Sequence, residues 1–225
     1  SFMLSKRHLL LLTVLPLLFL LGCSQKESSP EVVGTVEANA AYLELFGSPP
    51  EVKRGIAYAR VAYLPYEDDS TRIEAVPIYL MEENNHLQKI RDRLVSGELI
   101  VPPGSSLYQP LARLSAVEVS APENGTVTLA ITPKHALSGG DLKAIRTTLV
   151  QTALQDPGIK HVKIFMDGNP LGPMPEQGYS LPSGINVRVA PPEALIIAGM
   201  WERGEADLSE IYIDFNRPVT VTSFR

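Results

Sequence analysis

Apolar residues alternate with other residues in several short stretches of the chain, at the period of two that half-buried strands show. Residues 57–64 and 73–80 are the first two stretches, with a polar turn between them. Two more flank Asn124-Gly125, a dipeptide typical of a tight hairpin turn. Residues 161–166 make a fifth stretch. The pattern therefore predicts five strands.

Two other stretches place apolar residues at the three- and four-residue steps of a helix. Asn84 or Asn85 can cap the first helix, and Gly97 is placed to end it. Ser138 precedes the second helix, and Asp141 follows three residues later, a spacing that resembles a capping box. An Asp-Pro-Gly sequence after this helix predicts its end.

The predicted order is strand, strand, helix, strand, strand, helix, strand. It indicates an α+β fold over residues 56–183, with helices packed on one face of a mostly antiparallel sheet. Residues 184–225 hold further short apolar runs bounded by proline and glycine, which predict a β-rich extension. A segment of about forty residues seldom supports its own core. The extension therefore packs on the domain, pairs with a partner or begins a larger β domain.

Residues 1–23 have the order of a secretory signal peptide, with a basic start at Lys6 and Arg7 followed by an apolar run. This run is shorter than the roughly 20 residues that a membrane-spanning helix needs. Residues 24–55 are smaller and more polar at their start, and we predict a tether there. Within it, residues 36–46 can form a short helix or dock on the domain.

The end of the predicted signal peptide, Leu20, Leu21, Gly22 and Cys23, resembles the lipobox of bacterial lipoproteins. In that family the cysteine becomes the first mature residue and carries the lipid. The resemblance implies lipidation of Cys23, attachment to a membrane through its lipid, and an extracytoplasmic location with the membrane and leaflet left open. The alternative is a buried free cysteine at the end of a membrane anchor.

Composition and charge narrow the function classes. The chain has 225 residues, 44% of them hydrophobic and 20% charged, which excludes a wholly disordered protein. Its 25 acidic and 20 basic residues give a formal net charge of −5, which argues against a protein that grips nucleic-acid phosphates. Because Cys23 is the single cysteine, neither an intramolecular disulfide nor a cysteine metal site can form.

The second helix and the residues after it resemble a known domain family. Residues 142–154, the loop and strand at 156–164, and Asp167-Gly168 together are similar to the GerMN domain of GerM-like spore germination proteins. The resemblance implies a lipoprotein outside the cytoplasmic membrane and a fold similar to the ring-building motif of secretion and sporulation channels. It implies a role in assembly, and it brings no catalytic residues. The family's namesake holds two such domains in tandem, whereas this chain shows one.

The candidate catalytic and ligand-binding patterns each have an ordinary structural explanation. The histidines lack a second ligand at metal spacing, and the serines lack the Gly-x-Ser-x-Gly elbow. The acidic turn lacks the spacing of a calcium loop, and the glycine pair lacks a phosphate-loop lysine. We therefore predict no enzyme activity, no metal and no cofactor. The residues concerned are His86, His135, His161, Ser105, Ser106, Ser138, Glu67, Asp68, Asp69, Gly139 and Gly140.

Three functions remain open on the sequence. The leading hypothesis is a lipid-held module that binds another envelope protein, or a copy of itself, through its sheet edge, a helix face or the β-rich extension. The second is binding of the cell wall (peptidoglycan) through exposed Tyr58, Tyr63, Tyr66 and Tyr79, which can equally be half-buried strand residues. A wall-processing enzyme ranks last. Trp201 either anchors an interface or packs at the rim of the core.

Overall fold

Two four-stranded sheets, a hairpin and three α-helices make up the described part of the chain. The computed structural model describes residues 34–219 apart from 53, 82, 102, 103, 182, 202, 203, 205–209, 216 and 218. In chain order the elements are β1 (Thr35–Ala38), α1 (Ala40–Phe46), β2 (Ile56–Pro65), β3 (Arg72–Leu80), α2 (His86–Ser96), a 3₁₀ turn (Pro110–Arg113), β4 (Leu114–Val119), β5 (Thr126–Pro133), α3 (Gly139–Leu154), β6 (His161–Met166), β7 (Asn169–Pro170), β8 (Asn186–Arg188), β9 (Ala194–Met200) and β10 (Glu210–Phe215).

The predicted α+β class is confirmed, and the five strands and two helices predicted between residues 57 and 166 are all present in order. The strands are divided between two sheets rather than joined in one. The first sheet has the order β1-β2-β3-β8, and the second has the order β4-β5-β6-β7. In the first sheet two strand pairs are parallel and one is antiparallel. In the second sheet one pair is parallel and two are antiparallel.

Both sheets share one hydrophobic core with α2 and α3. α2 contacts β3 and β4, and α3 contacts β2 and β6, so each helix links the two sheets. The core contains Leu64 from the first sheet, Leu129 and Ile164 from the second, and Leu94 and Ile145 from the helices, all buried. Burial of each such side chain stabilises the fold by about 1.5–3 kcal/mol.

The first sheet is covered on its second face as well, by the short helix α1. Tyr42 of α1 is fully buried against Val61 and Ile73 of the sheet. β2 is therefore buried along both faces and reads as a nearly continuous apolar run, since a strand covered on both sides gains nothing from polar positions. The prediction that helices lie on one face holds for α2 and α3 but not for α1.

Residues 35–46, which the sequence places in a tether, differ from that expectation in the structure. β1 pairs in parallel with the start of β2, and α1 packs beside it. Asn39 caps α1 by accepting a hydrogen bond from the backbone N–H of Tyr42 at 2.9 Å. The suggestion of a short helix or a docked segment at 36–46 agrees with the structure, and the tether range is too long by these residues.

The predicted caps and turns are in place. Ser138 and Asp141 form the capping box at the start of α3, with hydrogen bonds of 3.1 and 2.9 Å between side chains and backbone N–H groups. Asn85 is the residue before α2, although its side chain makes no capping hydrogen bond. Asn124 and Gly125 both have positive φ, of 50° and 77°, as a two-residue hairpin turn requires.

The predicted β-rich extension joins the domain through one short strand. β8 pairs in parallel with Arg72–Glu74 of β3, and β9 and β10 form a separate antiparallel hairpin. Within the described residues, no helix has the length and the apolar content needed to cross a bilayer.

Two elements close the outer edge of β2. β1 pairs with its first four residues, from Ile56 to Ala59. Beyond them the side chain of Gln155, just after α3, donates to the carbonyl of Val61 at 2.7 Å and accepts from its N–H at 3.0 Å. Gln155 also accepts from the side chain of Asn39 at 3.0 Å. The outward backbone groups of β2 are thus satisfied within the molecule from Ile56 to Val61.

Candidate functional site

A groove of 680 Å³ lies along the outer edge of β3. One wall is β3 itself, from Val76 to Tyr79. The opposite wall comes from the C-terminal hairpin, chiefly Leu195, Ile213 and Phe215. Residues 98–100, which follow α2, line it as well. The groove is therefore bounded by a strand edge on one side and, on the other, by apolar side chains together with charged residues such as Glu98 and Asp214.

The strand edge in this groove is unpaired. β2 pairs with β3 over residues 73–80, whereas β8 pairs on the other side with residues 72–74 only. Among the described residues no strand pairs with 75–80 on that outer side. This length of strand extends about 20 Å, the size of a typical strand in a sheet. It is long enough to accept another strand.

Pro77 shows which backbone groups of β3 face the groove. Pro77 lies opposite Val61, whose N–H and C=O are bonded to Gln155 on the far side of β2. This pair exchanges no hydrogen bonds, so the backbone groups of Pro77 point outward. The same holds for Ala75 and Tyr79, two residues away in each direction. Because proline has no N–H, the edge offers more acceptors than donors, as is common for edge strands.

The hairpin beside the groove exposes large apolar side chains on both of its faces. Ile197 and Ile211 lie on one face, and Ile196, Met200 and Tyr212 lie on the other. All of them are at least half exposed, up to 71% for Ile197. An isolated two-stranded hairpin is marginally stable in water, and a contiguous apolar patch of this kind usually marks an interaction site.

A buried ion pair ties the end of the hairpin to β3. The guanidinium of Arg217 lies 2.9 Å from one carboxylate oxygen of Glu74. Both residues are buried, with exposed fractions of 6% for Arg217 and 4% for Glu74. The hydroxyl of Tyr66 donates to the second carboxylate oxygen at 2.7 Å. The Arg217 guanidinium also lies 6.0 Å from the ring of Phe46 in α1. These contacts hold the chain after β10 against β3 at the side of the groove.

The predicted lipobox, Leu20, Leu21, Gly22 and Cys23, lies outside the described residues, so its assignment stays a prediction. The predicted signal peptide and the first part of the tether lie outside them too.

The expectation of exposed tyrosines for wall binding is wrong. Tyr58 and Tyr63 are buried, at 7% and 6% exposure, and burial raises the pKa of Tyr63 to about 12. Tyr66 donates to Glu74, and the guanidinium of Arg72 covers its ring at 4.1 Å. Tyr79 is half-buried. β2 and β3 are covered on both faces, which places these rings inside, in agreement with the alternative of half-buried strand residues.

The structure also places His86 and Trp201, two residues that the sequence singled out. Nδ1 of His86 lies 2.8 Å from the guanidinium of Arg60, and its ring packs on Tyr58 at 4.7 Å. In the part of the chain that the structure describes, no three His, Cys, Asp or Glu side chains are grouped to hold a metal ion. Trp201 is 61% exposed, so its placement at the rim of the core is wrong. Its other interpretation, as an interface residue, remains a prediction.

The acidic turn and the start of α3 line a second cavity, of 490 Å³. Asp141 lines it and accepts hydrogen bonds from the hydroxyl of Tyr108 and from the backbone and side chain of Ser138. Its carboxylate also forms an ion pair with Nε of Arg113 at 3.3 Å. The hydrogen bonds from Tyr108 and Ser138 hold the pKa of Asp141 at about 2, below its usual 3.8. This end of α3 is thus occupied by its own capping carboxylate, which leaves no anion site at Gly139.

Sequence reasoning missed the open edge of β3. Pro77 was the available signal, because a proline within a strand is confined to edges or bulges. The position and length of the opening depend on the pairing of β8, more than one hundred residues later in the chain.

Comparison with solved structures gives a likeness in fold. The chain is similar to the tandem GerMN domains of the sporulation protein GerM from Bacillus subtilis, at 20% sequence identity and a TM-score of 0.36. The match covers 56% of this chain and 45% of that one, so this chain spans less than half the length of the structure that it matches. No family model and no curated protein matches the chain. The family resemblance therefore rests on residues 142–154, 156–164 and Asp167-Gly168.

Removal of one partner of the buried ion pair is expected to destabilise the fold strongly. Arg217→Ala or Glu74→Gln leaves the other group buried without its partner, and the free energy of unfolding should fall by about 3–5 kcal/mol. The matched control is Asp92→Asn, which breaks the more exposed pair of Arg91 and Asp92 at 2.7 Å. That change should cost less than about 1 kcal/mol. Urea unfolding measures the free energy of unfolding of all three variants. If Arg217→Ala and Glu74→Gln lose as little stability as Asp92→Asn, the stabilising role of the Glu74–Arg217 pair is contradicted.

Asp141 is expected to make stability depend on pH in acid. Its pKa is lower in the folded chain, at about 2, so its ionised form stabilises the fold above its unfolded pKa of about 3.8. This stabilisation should be lost as the pH falls from about 4 to about 2. Asp141→Asn should lower stability at neutral pH and flatten that part of the pH profile. Thermal unfolding from pH 2 to 7 measures the profile, with exposed Glu123→Gln as the control. An unchanged acid profile in Asp141→Asn would refute this prediction.

Proposed function

We propose that this chain is a lipid-anchored module of the bacterial cell envelope, and that it binds another envelope protein by accepting a strand of that protein at the β3 edge. The observation that carries the proposal is the unpaired edge at residues 75–80, which faces a groove of 680 Å³. The exposed apolar hairpin on the other wall supports it. Among the described residues that line the groove, none forms an arrangement typical of catalysis, and the proposed module acts by binding.

An added strand suits this groove on both of its walls. Backbone hydrogen bonds to a strand edge provide affinity without regard to sequence, and pockets for alternate side chains provide specificity. On one side the incoming strand would meet the outward backbone groups of Pro77 and Tyr79. On the other its side chains would meet Ile213 and Phe215. Since Pro77 can only accept, the register that places a partner N–H opposite its carbonyl is favoured.

The hairpin supplies the rest of the proposed interface. β9 carries no charged side chain, and its exposed Ile196, Ile197 and Met200 would be desolvated by a partner. Exposed Trp201 follows directly, and tryptophan is among the residues that most often dominate binding energy. An apolar partner surface with a free strand would thus cover the groove and hairpin together.

The membrane attachment in this proposal rests on the residues alone. Cys23 stands in the lipobox pattern, and a multiply acylated cysteine would give the two or more hydrophobic signals that stable anchoring requires. Without Lys6 and Arg7 the chain has 18 basic residues (20 minus 2) against 25 acidic ones, a formal charge of −7. Such a charge disfavours attachment to anionic headgroups, so the lipid would do the anchoring. The resemblance of residues 142–168 to the GerMN family supports a role in assembly.

Site-specific cross-linking in intact cells tests the proposed interface. A photoreactive amino acid replaces Ile100, which lines the groove, or Ile197, on the hairpin, at positions 63% and 71% exposed. The matched control is Ile56, an isoleucine 51% exposed at the start of β2. Mass spectrometry should identify the same envelope protein from Ile100 and Ile197 and recover much less of it from Ile56.

Two results of that experiment would contradict the proposal. If Ile100 and Ile197 give no reproducible cross-linked protein, the groove and the hairpin do not bind an envelope protein. Recovery of a second copy of this chain from both positions would replace the foreign partner by self-assembly.

A further inference from the structure

A third cavity, of 380 Å³, lies beside α3 and is distinct from the β3 groove in all of its lining residues. α3 contributes Lys143, Arg146, Thr147 and Val150. These positions follow the i, i+3, i+4, i+7 spacing, which places them on one face of the helix. The volume is within the range of small-molecule sites, about 300–1,000 Å³.

Two cations stand in this cavity with no carboxylate in its lining. Within the described residues neither Lys143 nor Arg146 forms an ion pair with an acidic side chain. Asp69 lies near Lys143, and its pKa is lowered by hydrogen bonds from Thr71 and, to a smaller extent, by Lys143. Lys143 and Arg146 thus bring two positive charges to one cavity whose own lining holds no carboxylate. They favour an anionic ligand.

Arg146 is held in place before any ligand arrives. Its guanidinium lies over the ring of Tyr179, 5.4 Å from the centroid, and Tyr179 itself donates to the carbonyl of Leu171. Gly172 leaves space beside it, because a Cβ there would lie 3.2 Å from Nη1 of Arg146. A guanidinium stacked in this way keeps its planar donors free for an oxyanion and loses less side-chain entropy on binding.

Hydroxyl groups complete the lining. The cavity includes Thr147, Ser180 and Ser183, whose hydroxyls can each donate and accept a hydrogen bond. Thr71 also lines it, but its hydroxyl donates to Asp69 at 2.6 Å and can only accept from a ligand. Donors from two cations and several hydroxyls exceed what the two oxygens of a carboxylate can use, whereas a phosphate ester has three free oxygens. The hydroxyls also suit a ligand that carries hydroxyls of its own.

We propose that this cavity binds the phosphate ester of a sugar or polyol. Arg146 and Lys143 bind the phosphate, and the serine and threonine hydroxyls contact the polyol. The site is independent of the proposed function of the β3 groove, because the two cavities share no residue.

Titration of the ¹⁵N-labelled full chain with glucose 1-phosphate tests this proposal. Amide shifts should appear on α3 and in residues 171–185, and glucose alone should give none. Lys143→Gln and Arg146→Gln should each weaken binding about tenfold, since each removes a charge-assisted contact. Lys134→Gln makes the same charge change at an exposed lysine outside the cavity and should leave binding unchanged. Lys143 is itself exposed, so its variant should keep the fold.

Inorganic phosphate and vesicles of anionic phospholipid separate the sources of the anion. Inorganic phosphate should bind at the same amides more weakly than glucose 1-phosphate, because it lacks the polyol contacts. Equal binding of the two would refute the polyol part of the proposal. Binding to vesicles without binding of glucose 1-phosphate would assign the site to a lipid headgroup and overturn the proposal. An equal loss in Lys134→Gln would show unspecific attraction and would also overturn it.

Discussion

The ion pair between Glu74 and Arg217 fixes where the C-terminal part of the chain lies. A buried carboxylate and a buried guanidinium each require the other, because a charge left alone away from water costs several kcal/mol. Glu74 is in β3, and Arg217 comes 143 residues later. The pair thus forces the chain after β10 against β3, and the hairpin becomes the second wall of the groove. Without it the edge of β3 would face open solvent.

β2 and β3 are the central strands of the first sheet, and their outer edges differ in how much of the backbone is paired. On β2, the strand β1 pairs with residues 56–59 and the side chain of Gln155 bonds both backbone groups of Val61, so this edge is occupied within the molecule as far as Val61. On β3, pairing stops at Glu74, and the backbone beyond it faces a groove whose opposite wall presents Leu195, Ile213 and Phe215. Pro77 limits this opening by removing one donor, a device that protects edges against unselective pairing. The edge has an unpaired backbone, a groove wall beside it and one missing donor at Pro77. These features favour a partner strand with a matching register and sequence.

Local signals predicted much of the fold. The capping box at Ser138, the Asn124-Gly125 turn and the strand order all follow from neighbouring residues, and the structure confirms them. The errors concern contacts between distant segments. We expected Tyr58 and Tyr63 to be exposed because the residues around them do not reveal the covering of the sheet. In the structure α1 covers one face of the first sheet, and the shared core covers the other. The open edge depends on where β8 stops pairing, which the pattern of residues within β3 does not encode.

Hydrogen exchange of individual amides in the isolated protein tests most directly whether the β3 edge is open. The N–H groups of Ile78 and Leu80 point toward β2 and should exchange slowly, whereas that of Tyr79 points into the groove and should exchange at close to its unprotected rate. This alternation is the result expected of an unpaired edge. Protection of Tyr79 equal to that of Ile78 in dilute solution would show that the edge is already paired, and would contradict a groove that waits for a partner strand.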